Sequence, residues 1–333
     1  MRVAVSESVT TVDSNRRDKQ ALIAAASILM LLLTGQASAA AVWHVDCDRG
    51  DSLQAVFSSA GHGTTTRLLR RPGGVVLVSG TCHENVEVTE AFDGMTLEGQ
   101  GTATINGPDP ARDTLRLIGV TNFTVRGFTI TGGRDGINLR GVQMVSVQRN
   151  TIRAGRDGIQ VHRGSFALIT DNSLQNGRDG IVVHESSAAR IGFATSTAAD
   201  PSPNWIDSNG RHGILVSRSS TARIAGNIIT NNGTSGAGSG IRVDRVSQAD
   251  IASNQIELNR EDGIRVIQNS GVNLGAAATG HFLEVVNSTG APNVGFGIRG
   301  QIGGYAVGGL GTLIGTAGAK NFTDPTSIDR TTP

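Results

Sequence analysis

Gly133-Arg134-Asp135-Gly136-Ile137, Gly155-Arg156-Asp157-Gly158-Ile159 and Gly177-Arg178-Asp179-Gly180-Ile181 are one pentapeptide written three times, each copy starting 22 residues after the last. Gly210-Arg211-His212-Gly213-Ile214 continues the series 33 residues further on, and Gly240-Ile241 and Gly263-Ile264 follow. Self-similarity at such a period marks stacked repeats, each too small to bury its own apolar side chains. Two residues after each isoleucine stands a second apolar column: Leu139, Val161, Val183, Val216, Val243 and Val266. Ten residues after the isoleucines come Val147, Ile169, Ile191, Ile224, Ile251 and Leu274. A further column holds Ile130, Ile152, Leu174, Ile206, Ile229 and Ile256. Alternation over short runs between glycine and asparagine turns is the pattern of strands, so each coil contributes three. Stacking at the sheet spacing of about 4.8 Å then sets like residues over like. The chain is therefore read as all-β, a right-handed parallel β-helix of about ten coils.

The residues around these coils fill in the rest of the organisation. Asn150, Asn172, Asn204, Asn227 and Asn254 precede the third apolar column by two residues. They are read as structural: asparagine tolerates the left-handed conformation of a sharp turn, and its amide can bond the next coil. Insertions fall at about Phe193–Pro203 and at Gly233–Gly238, and Gly275–Gly297 is irregular. Upstream, Ser52–Ala60 carries Leu53, Val56 and Phe57 on one helical face and is expected to cap the open first coil.

The N-terminus has the order of a secretory signal. Arg16, Arg17 and Lys19 precede an apolar run, Ala21–Leu33, and Ala37-Ser38-Ala39 supplies a small-x-small cleavage site. A membrane anchor is the alternative, but the run is shorter than the roughly 20 apolar residues a bilayer requires. Residues 1–39 are thus read as a signal peptide, 40–317 as the β-helix and 318–333 as a loose tail, in a periplasmic or extracellular protein. Residues 1–39 hold four basic and three acidic side chains, so the 29 basic and 28 acidic residues of the whole chain become 25 of each. A neutral chain has no general attraction to nucleic acid or to a membrane surface. No membrane span is expected after cleavage, and a monomer is. Cys47 and Cys82 are the only cysteines. In an oxidising compartment they should pair, two free thiols being the alternative.

The Gly-Ile-x-Val…Asn-x-Ile coils across 115–274, with Gly50-Asp51-Ser52-Leu53-Gln54 and Gly80-Thr81-Cys82 upstream, resemble the pectate-lyase-like β-helix superfamily, and within it the bacterial right-handed β-helix region proteins. The resemblance implies the fold. For activity it implies a range: uronate lyases, alginate epimerases, polygalacturonases, and accessory or adhesive proteins without chemistry. The Asp-Pro-His-Asp tetrapeptide of alginate epimerases is absent. Of the polygalacturonase motifs only Arg211-His212-Gly213 has a likeness here, and it lies inside a repeat. Fold alone does not give function.

Chemistry must therefore sit on outward positions. Before the first strand of each coil run Arg134, Arg156, Arg178 and Arg211, beside Asp135, Asp157, Asp179 and His212. Carboxylates one coil apart are close enough to act as an acid–nucleophile pair or to share Ca²⁺. Turn-forming aspartates neutralised by interleaved arginines are the structural alternative. Five residues on stands Arg140, His162, His184 and Ser217, flanked by Arg163, Glu185 and Arg218. Abstraction of a uronate C5 proton needs a base and a neutralised carboxylate, which His and Arg can supply. Solvated surface histidines are the alternative. Between these columns lies a strip of Asn138, Gln160, Val182, Leu215, Arg242 and Arg265, and Trp205 should point outward beside the longer insertion, suited to stacking on sugar. His44, His62 and His83 have no metal-site spacing, and no metal ligand set is read.

These positions lead to a reading as an exported β-helix that binds, and cleaves or epimerises, an acidic polysaccharide. His184, His162, Asp179 and His212 are the catalytic candidates; Arg140, Arg163, Arg178, Arg211 and Trp205 are the substrate-binding ones. Such a histidine base is expected to fail as pH drops through about 6–7. The alternative is a non-enzymatic adhesion or scaffold module whose ladders only hold the coils together.

Overall fold

The structure, a computed structural model, describes residues 41–58, 73–193, 202–275 and 286–332. Parallel strands make up nearly all of it, in one ten-stranded and one eighteen-stranded sheet. The ten-stranded sheet takes one strand from each successive coil, from Val86–Thr89 to Gly318–Asn321. The eighteen-stranded sheet is two ladders joined near the N-terminus. There Thr96–Gly107 and Thr124–Gly132 each run across a corner and pair on both sides of it, with a register shift between Glu98 and Ala103. Further along, separate short strands serve the two ladders, giving three faces per coil.

The repeat columns stack as read. Ile137, Ile159, Ile181, Ile214, Ile241, Ile264 and Ile298 are partners in register from coil to coil, and all are fully buried. Burial of each such side chain is worth about 1.5–3 kcal/mol, so the columns are the main support of the solenoid. The glycine before each isoleucine is fixed by close approach: a Cβ on Gly180 would stand 2.6 Å from the Gly213 carbonyl oxygen. Cys47 and Cys82 form a disulfide, and the helix Leu53–Ser58 buries Leu53 and Phe57 over the first coils.

The asparagine column is a hydrogen-bonded ladder. The Nδ2 of Asn150, Asn172, Asn204, Asn227 and Asn254 donates to the Oδ1 of the next asparagine at 2.9–3.1 Å, ending on Asn287. Its conformational role differs from expectation. The left-handed residues are those just before, Arg149, Asp171, Gly226 and Ser253, and the asparagine amides fix the turn from inside. Two ladders escaped sequence reading. Asn209, Asn232, Asn259 and Asn293 repeat the same bonding. Ser165, Ser187, Ser220, Ser247 and Ser270 each take the preceding coil's N–H on Oγ.

Residues 318–332 do not form the loose tail expected of them. Gly318–Asn321 pairs with Phe296–Gln301 and Ile328–Thr332 with Tyr305–Gly309, continuing both sheets. The open backbone edge of the preceding coil offers these bonds to any sequence, so a polar segment lacking apolar alternation still joins. The signal segment and most of the Phe193–Pro203 insertion lie outside the described residues.

Candidate functional site

The outer face of the ten-stranded sheet carries the columns that the sequence singled out, and its two edges differ in chemistry. Along the entering edge every aspartate is gripped by the arginine of the next coil. Arg134 Nη2 lies 3.0 Å from Asp113. Arg156 donates to Asp135 at 2.7 and 2.5 Å, Arg178 to Asp157 at 3.1 Å, and Arg211 to Asp179 at 3.2 and 2.5 Å. Asp135, Asp157 and Asp179 are 0% exposed. Asp179 also accepts the His212 N–H at 3.0 Å, so it is saturated within the fold and turns no face to a substrate. His212 is equally committed: it is buried, its Nδ1 accepts the Ser239 N–H at 3.1 Å, and burial pushes its pKa down to about 4. Guanidinium groups fill the spaces between the carboxylates, unlike the all-oxygen cage that Ca²⁺ takes. The turn-and-neutralisation alternative describes this edge. Burial, only partly opposed by Arg178, raises the Asp157 carboxyl to about 6.

The exiting edge is different. His162 pairs in register with Arg140, His184 stacks over His162 with centroids 5.2 Å apart and planes 5° from parallel, and Ser217 follows. Both imidazoles are largely covered, their side chains 12% and 13% exposed, so they are not solvated surface histidines. Desolvation is the main cause that lowers both pKa values, His184 to about 4. They are neutral at pH 7, and the expected loss of a histidine base at pH 6–7 is moved to about pH 4 for His184.

Hydrogen bonding orients the pair. His162 Nε2 bonds Asn138 Oδ1 at 2.9 Å, and Asn138 Nδ2 donates to Gln160 Oε1 at 3.0 Å. His162 Nδ1 therefore faces Glu185, 3.6 Å from Oε2, while His184 Nδ1 is 3.7 Å from Oε1. His184 Nε2 is buried without a hydrogen-bond partner. Glu185 also lies 3.8 Å from Arg163 and 3.4 Å from Arg218. Its role went unread, although one signal was available: the turn positions Arg163, Glu185, Arg218 and Arg245 hold a single acid among arginines.

Beside His184 is a groove of about 320 Å³ floored by Val182 and Leu215. Arg156, Arg178, Arg211, Arg218 and Arg245 line it. The structure thus brings Arg178 and Arg211 to His184, leaves Arg140 and Arg163 on the far side of His162, and keeps Asp179 and His212 at the opposite strand end. Trp205 is 51% exposed, as expected. Its strand, however, pairs with Ser173–Gln175 and Ile228–Thr230 in the eighteen-stranded sheet. It does not share the groove.

The fold and this site define a parallel β-helix with a basic groove on one face. The family of NosD, described as periplasmic copper-binding protein, matches residues 94–274, more than half of the chain, and the chain belongs to it. The family's description places the protein in the periplasm. No curated protein matches the sequence. Among solved structures, pectate lyase Pel9A is similar over 88% of this chain and 82% of its own, at 13% identity and TM-score 0.59. The periplasmic alginate epimerase AlgG is similar over 87% and 83%, at 16% identity and TM-score 0.51. At these identities the likeness is one of fold.

Proposed function

We propose that this protein binds an acidic polysaccharide along the outer face of the ten-stranded sheet, with uronate carboxylates in the groove beside His184. The observation that carries this is the ring of five arginines over an apolar floor. Arg156, Arg178 and Arg211 are each ion-paired with a buried aspartate, whereas Arg245 has no ion-pair partner among the described residues and projects from an exposed turn. Guanidinium groups suit carboxylate recognition because their planar donor fork can be bidentate. Any cleavage or epimerisation would fall to His184, the neutral imidazole in the groove wall. The test is a binding and product screen on alginate, pectate and related uronans, read by calorimetry, reducing ends and unsaturated products. Binding to uronans and not to neutral glucans is expected. No binding to any uronan would refute the reading and leave a scaffold.

A second reading, of metal binding, is favoured by His162, His184 and Glu185, whose ligand atoms lie within 4.8 Å of one another. The family description names copper. Two neutral imidazoles and a carboxylate make a donor set that fits Cu²⁺ or Zn²⁺ better than Ca²⁺, and the absence of sulfur in this group disfavours Cu⁺. The separations of 3.6 and 3.7 Å approach the about 3.4 Å kept by two ligands on a tetrahedral ion at about 2.1 Å. Asn138 would hold His162 in the ligating tautomer. A bound ion would supply fixed positive charge beside the groove. Titration of tag-free, chelator-stripped protein with Cu²⁺ or Zn²⁺ should give one equivalent, lost in His162→Gln.

A further inference from the structure

Glu185 stands where two binding functions meet. Four coils in succession place Arg163, Glu185, Arg218 and Arg245 at the same left-handed turn position, each bonded through its backbone to the next: Gly164 N–H to Glu185 O at 3.0 Å, Ser186 N–H to Arg218 O at 3.1 Å, Ser219 N–H to Arg245 O at 3.0 Å. The column is basic except for Glu185. Its carboxylate faces His162 and His184 on one side, at 3.6 and 3.7 Å, and Arg163 and Arg218 on the other, at 3.8 and 3.4 Å. One carboxylate thus occupies Arg218, an arginine of the groove, and is also the sole acid of the cation-ligating group. Both sets of partners compete for the same two oxygens.

We propose that Glu185 couples the two sites, so that a divalent transition-metal ion on His162, His184 and Glu185 frees Arg218 for a carboxylate ligand in the groove and tightens its binding. This rests on both readings of the preceding subsection. The physical basis is twofold. Coordination withdraws the carboxylate lone pairs from the guanidinium groups, and the ion adds positive charge at the groove wall where Arg218 and His184 stand. Linkage requires reciprocity: the acidic ligand must raise the metal affinity by the same factor. It also explains why a cation would enter a basic surface, since the incoming ligand neutralises the surplus.

The experiment measures affinity for a trigalacturonate by calorimetry, on wild-type protein and Glu185→Gln, each metal-free and with saturating Zn²⁺. The substitution is isosteric and falls at a half-exposed turn, and unchanged thermal melting verifies the fold. We expect Zn²⁺ to tighten wild-type binding about tenfold, within the usual range of coupling between sites. Metal-free Glu185→Gln should bind more tightly than metal-free wild type, with no further response to Zn²⁺. Equal responses to Zn²⁺ in both proteins would assign the effect to the sugar's own affinity for the ion and overturn the proposal. So would wild-type protein that binds both ligands independently; in that case the two site readings survive. Failure to bind trigalacturonate under all four conditions removes the groove reading itself, and failure to bind Zn²⁺ removes the metal reading, each taking the coupling with it.

Discussion

Acid should loosen this protein chiefly through His184 and His212, at a pH where ordinary carboxylates are still ionised. Each has a pKa depressed by burial from 6.5 to about 4. Below about 6.5 the unfolded chain takes up these protons and the folded chain does not, so stability present above 6.5 is lost as pH falls to about 4. At about 1.4 kcal/mol for each pKa unit, that depression costs on the order of 3 kcal/mol per histidine. Asp157 works in the other direction. Its pKa is raised from 3.8 to about 6, so its contribution is fully present below 3.8 and lost as pH rises through 6. Acidification therefore returns about 3 kcal/mol through this group. The net loss between pH 6.5 and 4 is on the order of 3 kcal/mol, a large share of the about 5–15 kcal/mol that holds a typical domain folded. Guanidinium denaturation followed by circular dichroism at pH 7, 5.5 and 4.5 measures it. The midpoint should fall throughout, and His212→Gln should remove part of the dependence. A midpoint that stays level or rises on acidification would refute the assignment of neutral, buried imidazoles at these two positions.

Three other outcomes are expected. Ile181→Asp places a charge in a fully buried column and should cost several kcal/mol, seen as loss of soluble, cooperatively melting protein. The Cys47–Cys82 disulfide should leave no thiol to label in denatured, unreduced protein, and its reduction should cost roughly 3–4 kcal/mol at a loop of this length, read as a lower melting midpoint. Arg245→Ala should weaken polyuronate binding by about tenfold with stability unchanged, whereas Arg211→Ala should lower stability by about 1–3 kcal/mol, because buried Asp179 would lose two charge-assisted hydrogen bonds and keep only Arg178 Nε, 3.3 Å away. Calorimetric titration and thermal melting separate the two.

The pentapeptide repeats made the fold legible because a solenoid writes its periodicity into sequence: every interior position recurs at the coil length, so Ile137, Ile159 and Ile181 declare one another. The asparagine ladder was legible for the same reason. The second asparagine ladder, beginning at Asn209, was masked by coils of unequal length and by the strong isoleucine signal beside it. Site residues were harder to read. Arg178 and Asp179 look equally poised in sequence, yet whether a carboxylate is open or saturated depends on which coil supplies the guanidinium. Trp205 was rightly placed outward, but its sheet could not be assigned, because the insertion before it obscures where the corner falls. Glu185 mattered for contacts that cross coils, which no single repeat displays.

The asparagine ladder has a direction. Every side-chain amide from Asn150 to Asn254 donates toward the next coil, and every Oδ1 from Asn172 to Asn287 receives from the one before. The amide dipoles are therefore aligned, like batteries connected in series, and each bond polarises its neighbours. Opening an interior rung breaks a side-chain bond on each side of it, whereas opening a terminal rung breaks only one. Loss of structure is thus easiest at the two ends of the column and hardest near Asn204. Amide protons of the central coils should exchange last, and a pulling force along the axis should peel the solenoid from its extremities rather than snap it in the middle.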